Sequence, residues 1–403
     1  MGAYSTLLKS PGVARIIAAQ LVARFPGGML ALAFLIHIEH ITGSYGSAGL
    51  VLAATSIGQA ISGPLTSRLM GRLGMRPVLI VTTAVSALAI VTIGLFDSFA
   101  LWVYVVLALI SGLFYPPIQP AVRTIYPKMV NSRQLTPLFS LDASAQEIIW
   151  VVGPVVTTLI ATQVSPMAAI LAAVVLMVGG GAWFIASPEL GRVRIPRSKR
   201  KFGVVLGRPP VLLGTIVGFL LIGACSAIEA GVVSVFGEGD ARAGLVLGIF
   251  SVGSLAGGLL FGTRPISQWA MARRMFIVFF GMALAAFVLD FWWLSVSLFI
   301  AGIGIAPVLA VIFATVSSSV KFSDTAEAYG WIGTGQLIGA ALGSAFAGFM
   351  IDGYGSVGAF WIATGFAFFG FLVPLLGHRW HPDLRGRDAS PIPDTEPVPV
   401  QPS

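Results

Sequence analysis

Cysteine and histidine are almost missing from this chain. One cysteine, Cys225, in 403 residues excludes an intramolecular disulfide. The four histidines, His37, His40, His378 and His381, fall at the ends of apolar runs or beyond the last one. His37, Glu39 and His40 are close enough in sequence to share a metal, but a solvated helix end is the plainer reading. No metal site, cofactor or nucleophilic relay is expected, and no enzymatic activity. A Gly-x-x-x-x-Gly-Lys-Ser/Thr run is absent too, so ATP is not expected as the direct energy source. Charge is also scarce: Asp, Glu, Lys and Arg make up 10% of the chain, against roughly 25% in a soluble domain. A chain so poor in charge cannot cover a soluble surface of its own size.

What fills the sequence is apolar, at 56% of residues. Twelve runs can be marked, near 14–38, 46–67, 77–96, 99–122, 136–161, 165–187, 210–236, 242–262, 275–292, 294–318, 327–350 and 356–377. Each approaches the roughly 20 residues that cross a hydrocarbon core about 30 Å thick. The first is too long for a cleaved secretory signal and is expected to remain as a span.

The net charge of +8 does not point to nucleic acid, because the basic residues flank the apolar runs. With an inside start, every Lys and Arg except Arg24 and Arg242 falls at an inner loop or inner helix end. The densest group is Arg192, Arg194, Arg197, Lys199, Arg200, Lys201 and Arg208. The outer ends carry Glu39, Asp97, Glu238, Asp240, Asp290 and Asp352 instead. This asymmetry predicts an even helix count with both termini cytoplasmic.

The halves repeat. Ala48-Gly49-Leu50-Val51-Leu52 returns as Ala243-Gly244-Leu245-Val246-Leu247, and Ser56, Gly58, Gly63 and Leu65 return as Ser251, Gly253, Gly258 and Leu260. Gly112, Pro117, Gln146 and Gly153 likewise return as Gly302, Pro307, Gln336 and Gly343. Six helices per half make parallel repeats, with a binding site expected near the midplane between them. The predicted organisation is an all-α membrane protein: a six-helix half over 1–187, a basic cytoplasmic linker over 188–208, a second half over 209–377, and a tail over 378–403. The tail is rich in proline (Pro391, Pro393, Pro397, Pro399, Pro402) and is expected to be disordered.

This pattern resembles the major facilitator superfamily over about residues 10 to 380. The loop after span 2 carries Gly63-Pro64-Leu65 and then Arg72-Leu73-Gly74-Met75-Arg76, similar to that family's signature. The signature's aspartate is missing, with Gly71 or Ser67 in its place. Gly153-Pro154 in span 5 resembles the core of the motif associated with drug–proton antiporters, without its flanking glycines. Gln146-Glu147-Ile148-Ile149-Trp150, Ala227-Ile228-Glu229-Ala230 and Glu327-Ala328-Tyr329-Gly330-Trp331 resemble actinobacterial efflux proteins. The resemblance implies a multi-pass transporter of a bacterial cytoplasmic membrane, with a small-molecule substrate, protons and lipid as partners and no nucleic acid. It is expected to act as a monomer. Arg72 and Arg76, with Gly74 turning the chain between them, are expected to hold the halves together on the cytoplasmic side.

Ionisable groups inside spans are expensive and seldom kept without a role. Arg24 and Glu147 each lie about 11 residues into a span entered from the same side, roughly 16 Å deep. They are read as a charge pair: either a structural lock, or a proton-coupling carboxylate, Glu147, with its partner. Burial disfavours the charged carboxylate and Arg24 would favour it. Glu229, in the outer third of span 7, is the second coupling candidate. Asp142 and Glu327 are expected to be interfacial caps. Gln59, Gln119, Gln146 and Gln336 are candidate polar groups of the cavity, or interhelical glue. The reading is proton-coupled efflux of a small, largely apolar compound by alternating access. The rivals are an uptake symporter for a sugar, amino acid or metabolite, and a transport-inactive scaffold or sensor.

Overall fold

The computed structural model describes residues 2–198, 200–237, 240–387 and 389–394. Lys199 and Glu238 of the charge pattern, and Pro397, Pro399 and Pro402 of the tail, lie outside them. Among the described residues the chain is helical, apart from turns and a single backbone bridge between Lys321 and Ile392.

Eleven segments are long and apolar enough to cross a bilayer. Spans 1 to 6 are 13–42, 45–73, 75–95, 101–129, 132–163 and 166–186; spans 7 and 8 are 209–236 and 241–261; spans 10 to 12 are 291–319, 322–354 and 357–376. Span 9, Ala270–Ala285, has only 16 residues. It starts five residues earlier than the sequence suggests and ends seven earlier. The apolar run continues through Phe287 and Val288, so composition does not reveal where the helix stops.

Local chemistry sets several helix starts. Side chains of Ser44, Asn131, Ser165, Asp240 and Asp290 accept backbone N–H bonds from the first turns of spans 2, 5, 6, 8 and 10. These caps satisfy donors that a helix cannot pair internally. Span 1 bends at Arg24-Phe25-Pro26, and span 4 is interrupted at Phe114 to Pro117, where a proline ring removes a donor and crowds the preceding turn. Gly74, at φ 92°, ends span 2 in a conformation that favours glycine.

The repeat visible in sequence reappears as equivalent close approaches. A Cβ at Gly58 would strike span 4 at Leu109 and Gly112, and one at Gly253 would strike span 10 at Phe299. Gly153 likewise meets Gly28 of span 1, and Gly343 meets Gly223 of span 7. Small residues let backbones touch at the same places in both halves.

The halves are sealed at one end. Thr334 Oγ1 donates to the Ala60 carbonyl at 2.8 Å and Ser140 Oγ to the Gly258 carbonyl at 2.7 Å. Tyr126 and Phe139 meet Phe313 and Tyr329 of the other half in an aromatic cluster, with centroids 5.9–6.4 Å apart. All of these lie at or below mid-span, toward the end that carries the linker. At the far end a cavity of about 630 Å³ opens on spans 7 and 11, lined by Ser226, Glu229, Ala230, Val233, Ser234 and Ser344.

The tail departs from expectation as far as Asp394. Leu384 N donates to the Ile266 carbonyl at 2.9 Å, Ile392 N to Val320 at 2.9 Å, and Phe322 N to Ile392 at 3.0 Å. Leu384 and Ala389 are buried. A few apolar residues spaced between prolines are enough to dock a strap, which average composition hides.

Candidate functional site

Span 5 carries two acidic positions with opposite surroundings. Asp142 is fully buried and surrounded by donors. Arg123 Nε reaches its Oδ2 at 2.9 Å; Gln20 Nε2, Tyr126 Oη and Arg24 Nη1 reach its Oδ1 at 3.1, 3.2 and 3.4 Å. Gln146 Oε1 accepts from Arg24 at 2.6 Å and from Arg123 at 3.3 Å. The Gln119 amide oxygen, in the orientation that satisfies both ends of the group, accepts from Arg123 Nη2 at 3.0 Å. The Arg123 guanidinium also stacks 3.4 Å from the centre of the Phe313 ring, in the other half, a cation–π contact between halves.

Arg24 is therefore the partner of Asp142 and not of Glu147, contrary to the sequence reading. Helix phase explains the correction. Asp142 and Gln146 are four residues apart and share a face, while Glu147 is turned about 100° onward. Asp142 is likewise not an interfacial cap but the centre of the network. Arg123, Gln20 and Tyr126 were missed. The signal was present as polar pairs at i, i+4 on three spans: Gln20/Arg24, Gln119/Arg123 and Asp142/Gln146.

Glu147 lies at the midpoint of span 5 and faces span 8. Ser254 Oγ donates to its Oε1 at 2.8 Å, and Ser251 lies one turn earlier on span 8. Glu229 and Cys225 of span 7 are close enough to interact with it electrostatically. Glu229 is exposed to the cavity it lines. Among the described residues neither glutamate has a cationic partner within salt-bridge distance. The pair thus forms an acidic region bordered by hydroxyls, running from mid-span at Glu147 to the outer third of span 7 at Glu229. The other glutamines divide: Gln336 packs against Gly218 of span 7, and Gln59 is half-buried on span 2.

At the sealed end the cross-half ion pair is Arg68 with Glu327, at 2.7 Å, rather than Arg72 or Arg76. Arg76 stays within its own half, donating to the carbonyls of Ile185 and Ser187 at 3.1 and 3.3 Å, and Arg72 is exposed. Arg68 lies one turn beyond Pro64, which packs with Gly63 against Gly330 of span 11. Glu327 is accordingly a buried bridge and not an interfacial cap. Linker atoms close over it: Gly203 N donates to Glu327 Oε1 at 2.8 Å, Arg68 donates to the Arg200 carbonyl, and Ser198 Oγ to Asp324. Gly71 lies against the Pro196 carbonyl, 3.3 Å from where a Cβ would stand, so a carboxylate there would meet a carbonyl oxygen. Gly153 serves the approach of spans 1 and 5, and Pro154 lies within the helix beside it.

Outside the spans, Glu189 and His381 are among the groups shifted by their surroundings. Burial raises Glu189, but bonds from Arg15 outweigh it and hold the carboxyl below its ordinary range. Burial pushes the His381 imidazole down, and its Nε2 lies 3.2 Å from Thr315 Oγ1.

Two six-helix halves, sealed together at one end and with a cavity lined by Glu229 at the other, define a membrane transporter of the two-domain kind. The chain belongs to the Major Facilitator Superfamily, whose family model matches residues 16–289 and 240–401. No curated protein sequence matches it significantly. Solved structures share the fold at low identity. The human organic anion transporter MFSD10 has 15% identity and a TM-score of 0.70, over 90% of this chain and 100% of that one. A bacterial homologue of the iron transporter ferroportin, in an outward-facing state, has 12% identity and a TM-score of 0.72, over 91% and 98%. The proton:xylose symporter XylE has 14% identity and a TM-score of 0.68, over 93% and 98%.

Proposed function

We propose that the protein exports a small, largely apolar compound across a bacterial cytoplasmic membrane in exchange for protons, by alternating access. The observation that carries this reading is Glu147, a carboxyl group at mid-span with hydroxyl neighbours and no cation. A charge so placed is costly, so the group gains a proton when water reaches it from the acidic side and loses it on the other. Glu229, deeper in the open cavity than its rim, hands protons and substrate the same route. Placing the linker in the cytoplasm, as the basic residues demand, makes this state open to the outside. Surface labelling of a tag after residue 385 on intact cells would overturn that orientation.

A compound panel on cells with and without the gene identifies a substrate. In vesicles, Glu147→Gln keeps the size and hydrogen bonding of the side chain but cannot ionise. The variant should exchange substrate down its gradient and fail to drive it uphill with a proton gradient. Full proton-driven transport by Glu147→Gln would remove the residue from the coupling role. Uphill movement of substrate in the same direction as protons would favour uptake instead.

A further inference from the structure

Glu147 belongs to one half of the molecule, and the hydroxyls that hold it belong to the other. We propose that Ser254 positions Glu147 as a proton-operated latch between the halves: the ionised carboxylate keeps the linker end sealed, and protonation releases it. The proposal rests on the reading of Glu147 as the coupling residue and adds how its proton is tied to movement.

The geometry around Ser254 fixes the direction of its bond. A hydroxyl has one proton to give and can accept twice. Ser254 Oγ already accepts the Ala306 backbone N–H at 3.2 Å, one residue before Pro307. Its own proton is directed at Glu147 Oε1, 2.8 Å away. The bond is therefore charge-assisted when Glu147 is ionised, and such bonds are roughly twice as strong as neutral ones. Just below, Gly258 lets span 8 close on Ser144 of span 5, and Ser140 and Tyr4 both donate to the Gly258 carbonyl, at 2.7 and 3.0 Å. Opening the linker end must separate spans 5 and 8, and so break the Ser254 bond.

The groups that face Glu147 leave it to be governed by these hydroxyls. Span 7 brings Glu229 and Cys225. Span 8 brings Ser251 and Ser254, its only ionisable residue being Arg242 at the far end, and spans 6 and 10 contain no ionisable side chain. Arg24 and Arg123 are both paired with Asp142 on another face of span 5, a cluster of net charge +1 that makes no ion pair with Glu147. The sign follows from linkage, since a state is favoured by whatever binds it better. The sealed linker end offers hydroxyl donors to the carboxylate, so ionisation favours sealing and proton binding favours opening. A proton taken from outside then drives the molecule to face inward. Its loss to the cytoplasm lets the halves seal again and carries substrate out, as exchange requires.

The test needs no substrate. In a Cys225→Ala background, spin labels at Arg133→Cys and Arg264→Cys report the separation of the linker ends of spans 5 and 8; both residues are exposed. Pulsed distance measurements in vesicles, from neutral to acidic pH, should show the sealed population falling as protons are added. Ser254→Ala should shift the balance about tenfold toward the open form at neutral pH, given the gap between charged and neutral hydrogen bonds, and flatten the pH response. Ser254→Thr, which keeps the hydroxyl, should restore it. Glu147→Gln should be insensitive to pH. A wild-type pH response in Ser254→Ala overturns the latch, even if Glu147→Gln has lost driven transport. Retained driven transport in Glu147→Gln, with the pH response lost, instead overturns the coupling reading on which the latch rests, and shows the pH response to be no part of transport.

Discussion

Asp142 and Glu147 sit on the same helix, five residues apart, and differ in nearly everything around them. Asp142 receives side-chain bonds from two arginines, a glutamine and a tyrosine. Glu147 has serine hydroxyls and another glutamate. A carboxylate whose acceptor sites are all occupied by donors, two of them permanently charged, is fixed in one state and ties spans 1, 4 and 5 into one body. One held by hydroxyls alone can change state at little structural cost. The proposed exchange uses both, a rigid half and a group within it that can gain and lose a proton.

The comparison breaks first at Asp142. Asp142→Asn leaves Arg24 and Arg123 buried without a countercharge, and breaking a buried pair in this way costs about 3–5 kcal/mol. The variant is expected to show sharply reduced membrane yield and a lower thermal midpoint in detergent, whereas Glu147→Gln should stay close to wild type by both measures. If the two variants were equally stable, the division between a structural and a titrating carboxylate would be lost.

A middle-sized effect is expected at the sealed end. Arg68→Gln leaves Glu327 with its bond from Gly203 N but without its cross-half cation. The linker end should open more often, seen as faster maleimide labelling of Ala60→Cys in a Cys225→Ala background, with little loss of folded protein. Arg72→Gln should leave labelling unchanged, because Arg72 makes no bridge. Equal effects from both variants would show that the loop acts only through its overall charge.

The smallest effect concerns the strap. His381 is held neutral by burial, with its proton affinity below the ordinary value of 6.5. A group depressed in this way favours docking above its free value and opposes it as pH falls through the docked value. The segment from His378 to Asp394 should therefore become more protease-sensitive in mildly acidic buffer, and His381→Gln should remove that dependence. Unchanged cleavage across the range would mean that backbone bonds to Ile266 and Val320 alone hold the strap.

Much of the fold is legible in the sequence because lipid leaves a chain few options: apolar length marks the spans, basic residues mark one side, and glycine offsets mark the repeat. Helix phase was harder. Depth alone paired Arg24 with Glu147, since both lie about as far from the same surface, but depth does not say which way a side chain points. Reading i, i+4 partners on each span would have assembled the Asp142 network. Arg68 was hidden for another reason: the loop signature drew attention to Arg72, one turn further on, and to Arg76 beyond the Gly74 turn, while the contact with span 11 is set by Gly63, Pro64 and Gly330. The docked strap and the early end of span 9 depend on single residues that composition averages away.

The claim that a proton on Glu147 is exchanged for substrate is tested most directly by measuring the proton itself. Purified protein in vesicles containing a trapped pH-sensitive dye is given an outward gradient of a compound identified from the cell panel, with no initial pH difference. The wild type should acidify the interior as the compound leaves, and Glu147→Gln should let the compound leave with no change of pH. Acidification by Glu147→Gln at the wild-type rate, or alkalinisation of the interior by the wild type, would contradict the account.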